Sequence, residues 1–193
     1  MPRYYHVALA LEGRRCVVVG GGRVAARKVD ALLEHGARVE VVSPELDPGL
    51  RQVVAEGRVR WIRGDHRSAD LQGALLAVAA TDSADANRQV ATAARACGVL
   101  VNVVDDPEAS DFIVPASMRR GSLSISVTTD GKSPMLARRV REELEGLYGD
   151  EYAELVEFLG EARQEVLRRV PDQEARREVF ERLVYSDLPG LFR

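Results

Sequence analysis

The chain has 193 residues, 46% of them hydrophobic and 30% charged, and its formal net charge is −3. This composition predicts a folded core, and the acidic balance argues against a protein built mainly to bind nucleic acid. The longest purely apolar run, Ala74 to Ala80, is too short to cross a bilayer, so we expect a cytoplasmic protein with no membrane or nucleic-acid partner.

The first half of the chain alternates strand patterns with helix patterns. Strands that alternate with helices favour right-handed crossovers and a mainly parallel sheet, so the predicted fold class is α/β and Rossmann-like. The predicted strands are Cys16–Val19, Val39–Val42, Val59–Ile62, Leu75–Ala79, Val99–Val103 and Phe112–Val114, and the predicted helices are Arg23–His35, Leu46–Glu56 and Ala84–Ala96.

Three consecutive glycines join the first predicted strand to the first predicted helix. They fit the pattern G-x-G-x-x-A, with Gly20, Gly22 and Ala25 at the marked positions. In that pattern the first residue permits a tight turn, the second lets the backbone approach a pyrophosphate, and the third packs the helix on the strand. The helix N-terminus adds unpaired N–H groups and a positive dipole end. These features favour dinucleotide binding over an ordinary turn.

The pattern changes after the predicted strand at 112–114. Residues 121–129 alternate apolar with small polar side chains, which indicates a half-exposed strand. Ser133 and Pro134 suit the N-cap and the first position of a helix. Two amphipathic helices, Glu151–Arg169 and Asp172–Val184, follow.

These patterns divide the sequence into three predicted parts. Residues 1–112 form the Rossmann-like dinucleotide-binding domain, residues 113–146 a strand–helix segment for dimerisation and substrate binding, and residues 147–193 a small helical domain. An exposed strand edge is normally paired or covered, and the helix that begins at Pro134 has an apolar face that needs a partner. We therefore expect a homodimer built through residues 112–146.

Five motifs occur in a fixed order along the chain. They are Gly20–Lys28, Ala79–Asp82, Asn102–Asp105, Phe112–Ala116 and Gly131–Arg138. Together they resemble the precorrin-2 dehydrogenase family of sirohaem synthesis, which includes the N-terminal part of the multifunctional sirohaem synthases. The resemblance implies oxidation of precorrin-2 to sirohydrochlorin with NAD as the cofactor, in an intertwined homodimer. Two alternatives stay open: a bifunctional dehydrogenase and ferrochelatase, and a non-catalytic module that senses NAD(H).

Asp105 is the candidate catalytic residue. It closes a predicted strand at the carboxyl edge of the sheet, where open α/β folds bind ligands. A carboxylate within hydrogen-bond reach could take the proton that the oxidation releases, and the resemblance assigns the important aspartate of the family to this position. From the residues alone, Asp105-Asp106-Pro107 could equally be a simple turn, since Asp and Pro favour turns.

The predicted cofactor contacts lie in four loops. Ser43 occupies the place where a ribose-binding acid is expected, and Glu45 could substitute for it. No arginine stands there to bind the 2′-phosphate of NADP, which favours NAD. Asn102 could contact the cofactor, orient Asp105 or cap the turn. The complete set is Gly20, Gly22, Arg23, Val24, Ser43, Pro44, Glu45, Thr81 and Asn102.

Basic side chains concentrate after the predicted strand at 112–114. Because the substrate implied by the resemblance carries many carboxylates, and because arginine pairs bidentately with carboxylates, they are candidates for substrate binding. An ordinary solvated basic surface is an equally good interpretation. The predicted substrate contacts are Arg119, Arg120, Lys132 and Arg138, with Arg139 beside them.

The sequence predicts no metal site. His6, His35 and His66 are isolated and lack the spacing of metal ligands. The two cysteines, Cys16 and Cys97, offer neither a disulfide framework nor paired metal ligands.

Overall fold

A computed structural model describes residues 4–65, 67–186 and 188–191. The chain divides into two compact units, Met1–Ile113 and Val114–Arg193. No helix among these described residues is both long enough and apolar enough to cross a membrane.

The first unit is a parallel five-stranded sheet with helices on both faces. The strand order is β3-β2-β1-β4-β5. The first three strands extend the sheet to one side of β1, and the last two extend it to the other side, so the strand order reverses between β1 and β4. This topology confirms the predicted Rossmann-like α/β fold. The elements are β1 (Arg15–Val19), α1 (Arg23–Glu34), β2 (Arg38–Ser43), α2 (Pro48–Ala55), β3 (Val59–Arg63), α3 (Ser68–Leu71), β4 (Leu76–Ala79), α4 (Ala84–Ala96) and β5 (Leu100–Val103).

The sheet is buried on both faces, and β1 shows how the sequence achieves this. Cys16 and Val18 pack with α1 on one face, while Val17 and Val19 pack with α4 on the other. Successive side chains of a strand point to opposite faces, so a strand covered on both sides needs a continuous apolar run. Ala25 of α1 is fully buried, as the glycine-loop pattern predicts.

A charged cluster joins four elements of the first unit, β1, β2, β3 and α3, around Arg15 at the start of β1. Arg15 donates hydrogen bonds to the Glu40 carboxylate at 2.7 Å and to the carbonyl oxygens of Asp70 and Gln72 at 2.7 and 2.8 Å. Arg60 of β3 lies 3.3 Å from the same carboxylate. Hydrogen bonding from Arg15 lowers the pKa of Glu40 below its ordinary value of 4.5, against the opposing effect of burial.

The predicted strand at Phe112–Val114 is wrong. These residues lie outside the regular elements, and the next strand in the chain belongs to a separate sheet. The physical reason lies at the free edge of β5, where side-chain oxygens accept hydrogen bonds from the backbone N–H groups that another strand would need. Ser110 accepts from the Val103 N–H at 2.8 Å, and Asp111 accepts from the Val101 N–H at 3.0 Å.

The second unit begins with an antiparallel hairpin and continues as helices. In β7, Leu123, Ile125 and Val127 are half-buried while Ser124 and Ser126 are exposed, which confirms the predicted half-exposed strand. The elements are β6 (Ala116–Arg120), β7 (Leu123–Val127), α5 (Pro134–Leu147), α6 (Glu151–Arg169), α7 (Gln173–Tyr185) and α8 (Leu188–Leu191).

The predicted start of α5 is confirmed. The Ser133 hydroxyl accepts a hydrogen bond from the Leu136 N–H at 3.3 Å, and Pro134 occupies the first helical position.

We predict that Glu40→Gln lowers the free energy of unfolding by about 1–3 kcal/mol at pH 7, because a charge-assisted hydrogen bond in a half-buried site is weakened. Because the pKa of Glu40 is lowered in the folded state, its contribution is present above pH 4.5 and is lost as the pH falls through the folded value. Denaturant unfolding at several pH values measures this. The exposed Glu108→Gln is the control, and an equal effect of the two variants at pH 7 would contradict the assignment.

Candidate functional site

A cavity of about 890 Å³ opens at the carboxyl ends of β1, β2, β4 and β5. It lies beside the point where the strand order reverses, which is where open α/β sheets bind ligands. Asp105 lines it together with every predicted cofactor contact except Asn102. Those residues are Gly20, Gly22, Arg23, Val24, Ser43, Pro44, Glu45 and Thr81.

The glycine turn, Gly20–Gly22, forms part of the cavity wall. Two of its three positions leave no room for a side chain. Gly20 has a φ of 126°, and a Cβ there would overlap the carbonyl of Ala80. A Cβ at Gly21 would overlap the Glu45 carbonyl and the Ser43 hydroxyl. At Gly22, by contrast, a Cβ would meet nothing within 4 Å. The requirement at Gly21 escaped the sequence analysis, because it depends on a loop more than twenty residues away.

Backbone hydrogen bonds join the end of β2 and the loop after it to the glycine turn. Gly20 donates to the Val42 carbonyl at 2.9 Å, and Asp47 donates to the Gly21 carbonyl at 2.7 Å. The buried Ser43 hydroxyl donates to the Glu45 carbonyl at 2.6 Å. Two carboxylates of this loop line the cavity, Asp47 and the exposed Glu45. Because the Asp47 carboxylate already caps α2 by accepting from the Gly49 N–H at 2.9 Å, Glu45 is the better candidate to accept a ribose hydroxyl.

The N-terminus of α1 fits a phosphate group. Gly22 is its N-cap, and among the described residues no side chain caps it and no acidic side chain stands in its first turn. The backbone hydrogen bonds begin with the Ala26 N–H donating to the Gly22 carbonyl at 3.0 Å, and the N–H groups of a first helical turn have no intrahelical partner. Open space at Gly22, unpaired N–H groups and the positive helix end together suit the pyrophosphate of a dinucleotide.

Asp105 lines the same cavity in an uncommon backbone conformation. Its φ is 61°, and among the described non-glycine residues only Asp130 shares a positive φ. The preceding Val104 N–H donates to the Ala79 carbonyl at 3.0 Å. The turn is therefore attached to the end of β4.

Lys28, which the sequence analysis did not single out, is electrostatically linked to Asp105. It lies one helical turn after Val24 on α1 and is half-buried. Burial lowers the pKa of Lys28, the neighbouring Arg27 lowers it further, and the attraction of the Asp105 carboxylate opposes both.

Thr81 is held by a buried side chain that the sequence analysis also missed. The N–H and hydroxyl of Thr81 donate to the Asn87 side-chain oxygen at 3.0 and 2.8 Å, and the Asn87 amide donates to the Thr81 carbonyl at 3.1 Å. Asn87 is only 7% exposed. Its helix, α4, begins at the N-cap Ser83, so this pair fixes the loop between β4 and α4.

Asn102 lies behind the cavity rather than on its surface. It is 7% exposed, and its amide donates to the Phe112 carbonyl at 3.0 Å. This contact fastens the returning chain to β5, close to the turn that contains Asp105. Cofactor contact by Asn102 stays a prediction.

The predicted substrate contacts all lie in the second unit. Arg119 donates to the Gly121 carbonyl at 2.7 Å, Arg120 lies 3.1 Å from the Asp150 carboxylate, and Arg138 donates to Glu142 at 2.9 Å. Lys132 is exposed in the turn before α5, and Arg139 pairs with Glu143 at 3.0 Å.

The described residues contain no group of three or more His, Cys, Asp or Glu side chains that could hold a metal ion. His66 lies outside the described residues.

A parallel sheet with a close-packed glycine turn and an open helix N-terminus defines a dinucleotide-binding domain of the Rossmann class. In agreement, residues 7–116 match the family model for NAD(P)-binding domains. Residues 120–147 match the model for the central region of sirohaem biosynthesis proteins, and residues 151–193 match the sirohaem synthase dimerisation region.

Relatives and a solved structure cover nearly the whole chain. The sirohaem synthase of Chromobacterium violaceum is 44% identical over 96% of this chain, and that of Methylobacillus flagellatus is 43% identical over 91%. The chain spans only 39% and 38% of their respective lengths. The solved structure of SirC, a precorrin-2 dehydrogenase, is 30% identical with a TM-score of 0.78, and the match covers 97% of this chain and 92% of SirC. The chain therefore belongs to the sirohaem synthase and precorrin-2 dehydrogenase family.

We predict that Gly22→Asp folds normally and binds NAD⁺ at least about 100-fold more weakly. The new side chain enters open space at an ordinary φ of −86°, but its charge lies beside the pyrophosphate. Calorimetric titration measures the affinity, and thermal unfolding checks the fold.

Gly160→Asp is the matched control, because it adds the same charge at another glycine with open space, in α6. Wild-type affinity in Gly22→Asp, or an equal loss in both variants, would contradict the assignment of the glycine turn.

Proposed function

We propose that this protein oxidises precorrin-2 to sirohydrochlorin with NAD⁺ as the hydride acceptor. One observation carries the proposal: the Asp105 carboxylate and the open N-terminus of α1 line the same cavity. The likeness to SirC over 92% of that chain supports it. A module that only binds nucleotide needs the helix N-terminus but has no use for a carboxylate held in the same cavity.

The chain offers binding groups for the pyrophosphate and for a ribose of the dinucleotide. The N–H groups at the start of α1 face the pyrophosphate across Gly22, and the Glu45 carboxylate accepts a ribose hydroxyl. Bound there, NAD⁺ supplies the acceptor for a hydride. The part of the cavity formed by Ser43, Pro44 and Glu45 contains no cation for the 2′-phosphate of NADP, which supports NAD.

In the proposed reaction Asp105 removes the proton. Converting precorrin-2 to sirohydrochlorin takes away two hydrogens, one as a hydride and one as a proton. A carboxylate in hydrogen-bond reach of the acidic C–H or N–H group can accept that proton. The turn that holds Asp105 leaves the end of β5 and is bonded to β4, so the carboxylate is carried by the rigid sheet rather than by a long loop.

We further propose that Arg119, Arg120, Lys132 and Arg138 bind the carboxylates of the substrate. Arg119 uses its Nε to bond a carbonyl, and Arg138 uses its Nε to bond one carboxylate oxygen. Both guanidinium groups keep further N–H donors for the bidentate pairing that carboxylates favour.

We also propose a homodimer, with the three-part organisation predicted from the sequence. The matched dimerisation region covers 151–193, C-terminal to the segment at 112–146 that the sequence analysis assigned to the interface. Large apolar side chains are exposed in both stretches, including Met135 at 78% and Tyr185 at 86%. Both stretches therefore offer surface for a second copy of the chain.

We predict that Asp105→Asn lowers the rate of sirohydrochlorin formation by about 10²–10⁴-fold, the usual effect of removing a general base. Asparagine tolerates the left-handed backbone region, so this variant removes the charge without the strain that alanine would bring. The affinity for NAD⁺ should change little, because the glycine turn and α1 hold the cofactor.

The measurement is NADH and sirohydrochlorin absorbance at saturating NAD⁺, with calorimetric titration of NAD⁺ alongside. Wild-type turnover in Asp105→Asn would show that this aspartate is only a turn residue. Loss of NAD⁺ binding together with turnover would indicate a role in holding the cofactor instead.

We predict a dimer at micromolar concentration in multi-angle light scattering. Replacing the exposed Tyr185 and Val184 by serine should raise the fraction of monomer, since each removes apolar contact area. The paired control is Tyr5→Ser, an equally exposed tyrosine in the first unit. A monomeric wild-type protein would contradict the proposal.

A further inference from the structure

Asp105 occupies the third position of a tight four-residue turn. The Asp106 N–H donates to the Val103 carbonyl at 3.2 Å and closes the turn from residue 103 to residue 106. A positive φ at the third position is typical of type II turns, where glycine or asparagine is preferred. Asp105, with its φ of 61°, takes that position without being either residue. Aspartate visits this backbone region more readily than most residues, and contacts from the surrounding structure can stabilise it further.

Ser110 contacts both ends of this turn with one hydroxyl group. Its oxygen accepts a hydrogen bond from the Val103 N–H at 2.8 Å. Its proton has two carbonyl acceptors within reach, and the nearer is Asp106 at 2.8 Å, against 3.2 Å for Val103. Ser110 is only 8% exposed, so water does not readily replace these bonds. The first and last residues of the turn are thus held by the same side chain.

Neighbouring contacts fix Ser110 itself. Asp111 donates its N–H to the Val101 carbonyl at 2.7 Å, and its carboxylate accepts from the Val101 N–H and from Arg95. Ala109 donates its N–H to the Asp106 carboxylate at 3.1 Å. The returning segment therefore runs along the free edge of β5 and places the Ser110 hydroxyl against the turn.

We propose that Ser110 is a positioning residue, which holds the turn from 103 to 106 so that the Asp105 carboxylate faces the cavity. The proposal rests on the proposed function, in which Asp105 accepts a proton. It assigns to Ser110 no contact with substrate or cofactor. Its effect on the reaction passes entirely through the orientation of Asp105.

The test compares Ser110→Ala with Asp111→Ala. Both variants remove side-chain bonds at the edge of β5. Asp111→Ala removes only the carboxylate contacts with Val101 and Arg95, and it keeps the bond from the Asp111 N–H to the Val101 carbonyl that holds the Ser110 segment in place. Ser110→Ala should lower kcat by roughly ten- to hundred-fold, as expected when a reacting group is misplaced by about an ångström, and should leave the KM for NAD⁺ unchanged. Asp111→Ala should lower thermal stability while kcat stays near the wild-type value.

A double-mutant comparison separates positioning from general loosening. In the Asp105→Asn background, Ser110→Ala should have little further effect on kcat, because its effect passes through the Asp105 carboxylate. Two results would overturn the proposal. One is a double variant whose loss of kcat equals the product of the two single losses, and the other is wild-type kcat in Ser110→Ala. If Ser110→Ala does not fold, Ser110→Cys keeps the shape while weakening both hydrogen bonds.

Amide hydrogen exchange gives a readout that does not depend on turnover. Ser110→Ala should speed exchange at the Val103 and Asp106 amides, whereas Asp111→Ala should speed it at Val101. Unchanged protection of both turn amides in Ser110→Ala would overturn the positioning role. Failure of the proposed function would show differently, as wild-type turnover in Asp105→Asn or as no turnover in the wild type.

Discussion

The close packing of the glycine turn against two backbone carbonyls determines the rest of the site. Ala80, after β4, blocks any side chain at Gly20, and Glu45, after β2, blocks any side chain at Gly21. The turn therefore brings the loops after three strands into contact at the point where the strand order reverses. Gly22 is left facing open space, so the start of α1 is accessible to a phosphate. Packing on one side of the turn creates the binding surface on the other.

The turn that contains Asp105 follows a different rule, because it leaves the edge strand β5. The free edge of a sheet presents unpaired N–H groups, and here Ser110 and Asp111 bond two of those groups on β5. The same contacts carry the chain past the Asp105 turn and hold it there. The half-buried Lys28, attracted to Asp105, adds a positive charge from α1. One segment therefore both protects the sheet edge and holds the turn that contains Asp105.

Local pattern was sufficient to predict most of the fold. The apolar run of β1, the glycines and the start of α5 at Ser133-Pro134 are signals contained in a few adjacent residues. The error at 112–114 arose because three consecutive apolar residues resemble a strand. A strand also needs an adjacent strand whose backbone groups are free to pair, and the edge of β5 is already bonded to Ser110 and Asp111. Gly21, Asn87 and Ser110 were missed for a related reason. Each residue contacts a distant part of the chain or the backbone of a turn. Contacts of these two kinds leave no periodic pattern of apolar and polar residues in the sequence.

If nucleotide binding and chemistry occur in one cavity, a single measurement tests it directly. Wild-type protein, NAD⁺ and precorrin-2 are incubated without oxygen while the absorbance of NADH and of sirohydrochlorin is recorded together. We expect both to rise in a one-to-one ratio. Bound NAD⁺ with no change in the tetrapyrrole spectrum would contradict the account and indicate a module that only senses the nucleotide.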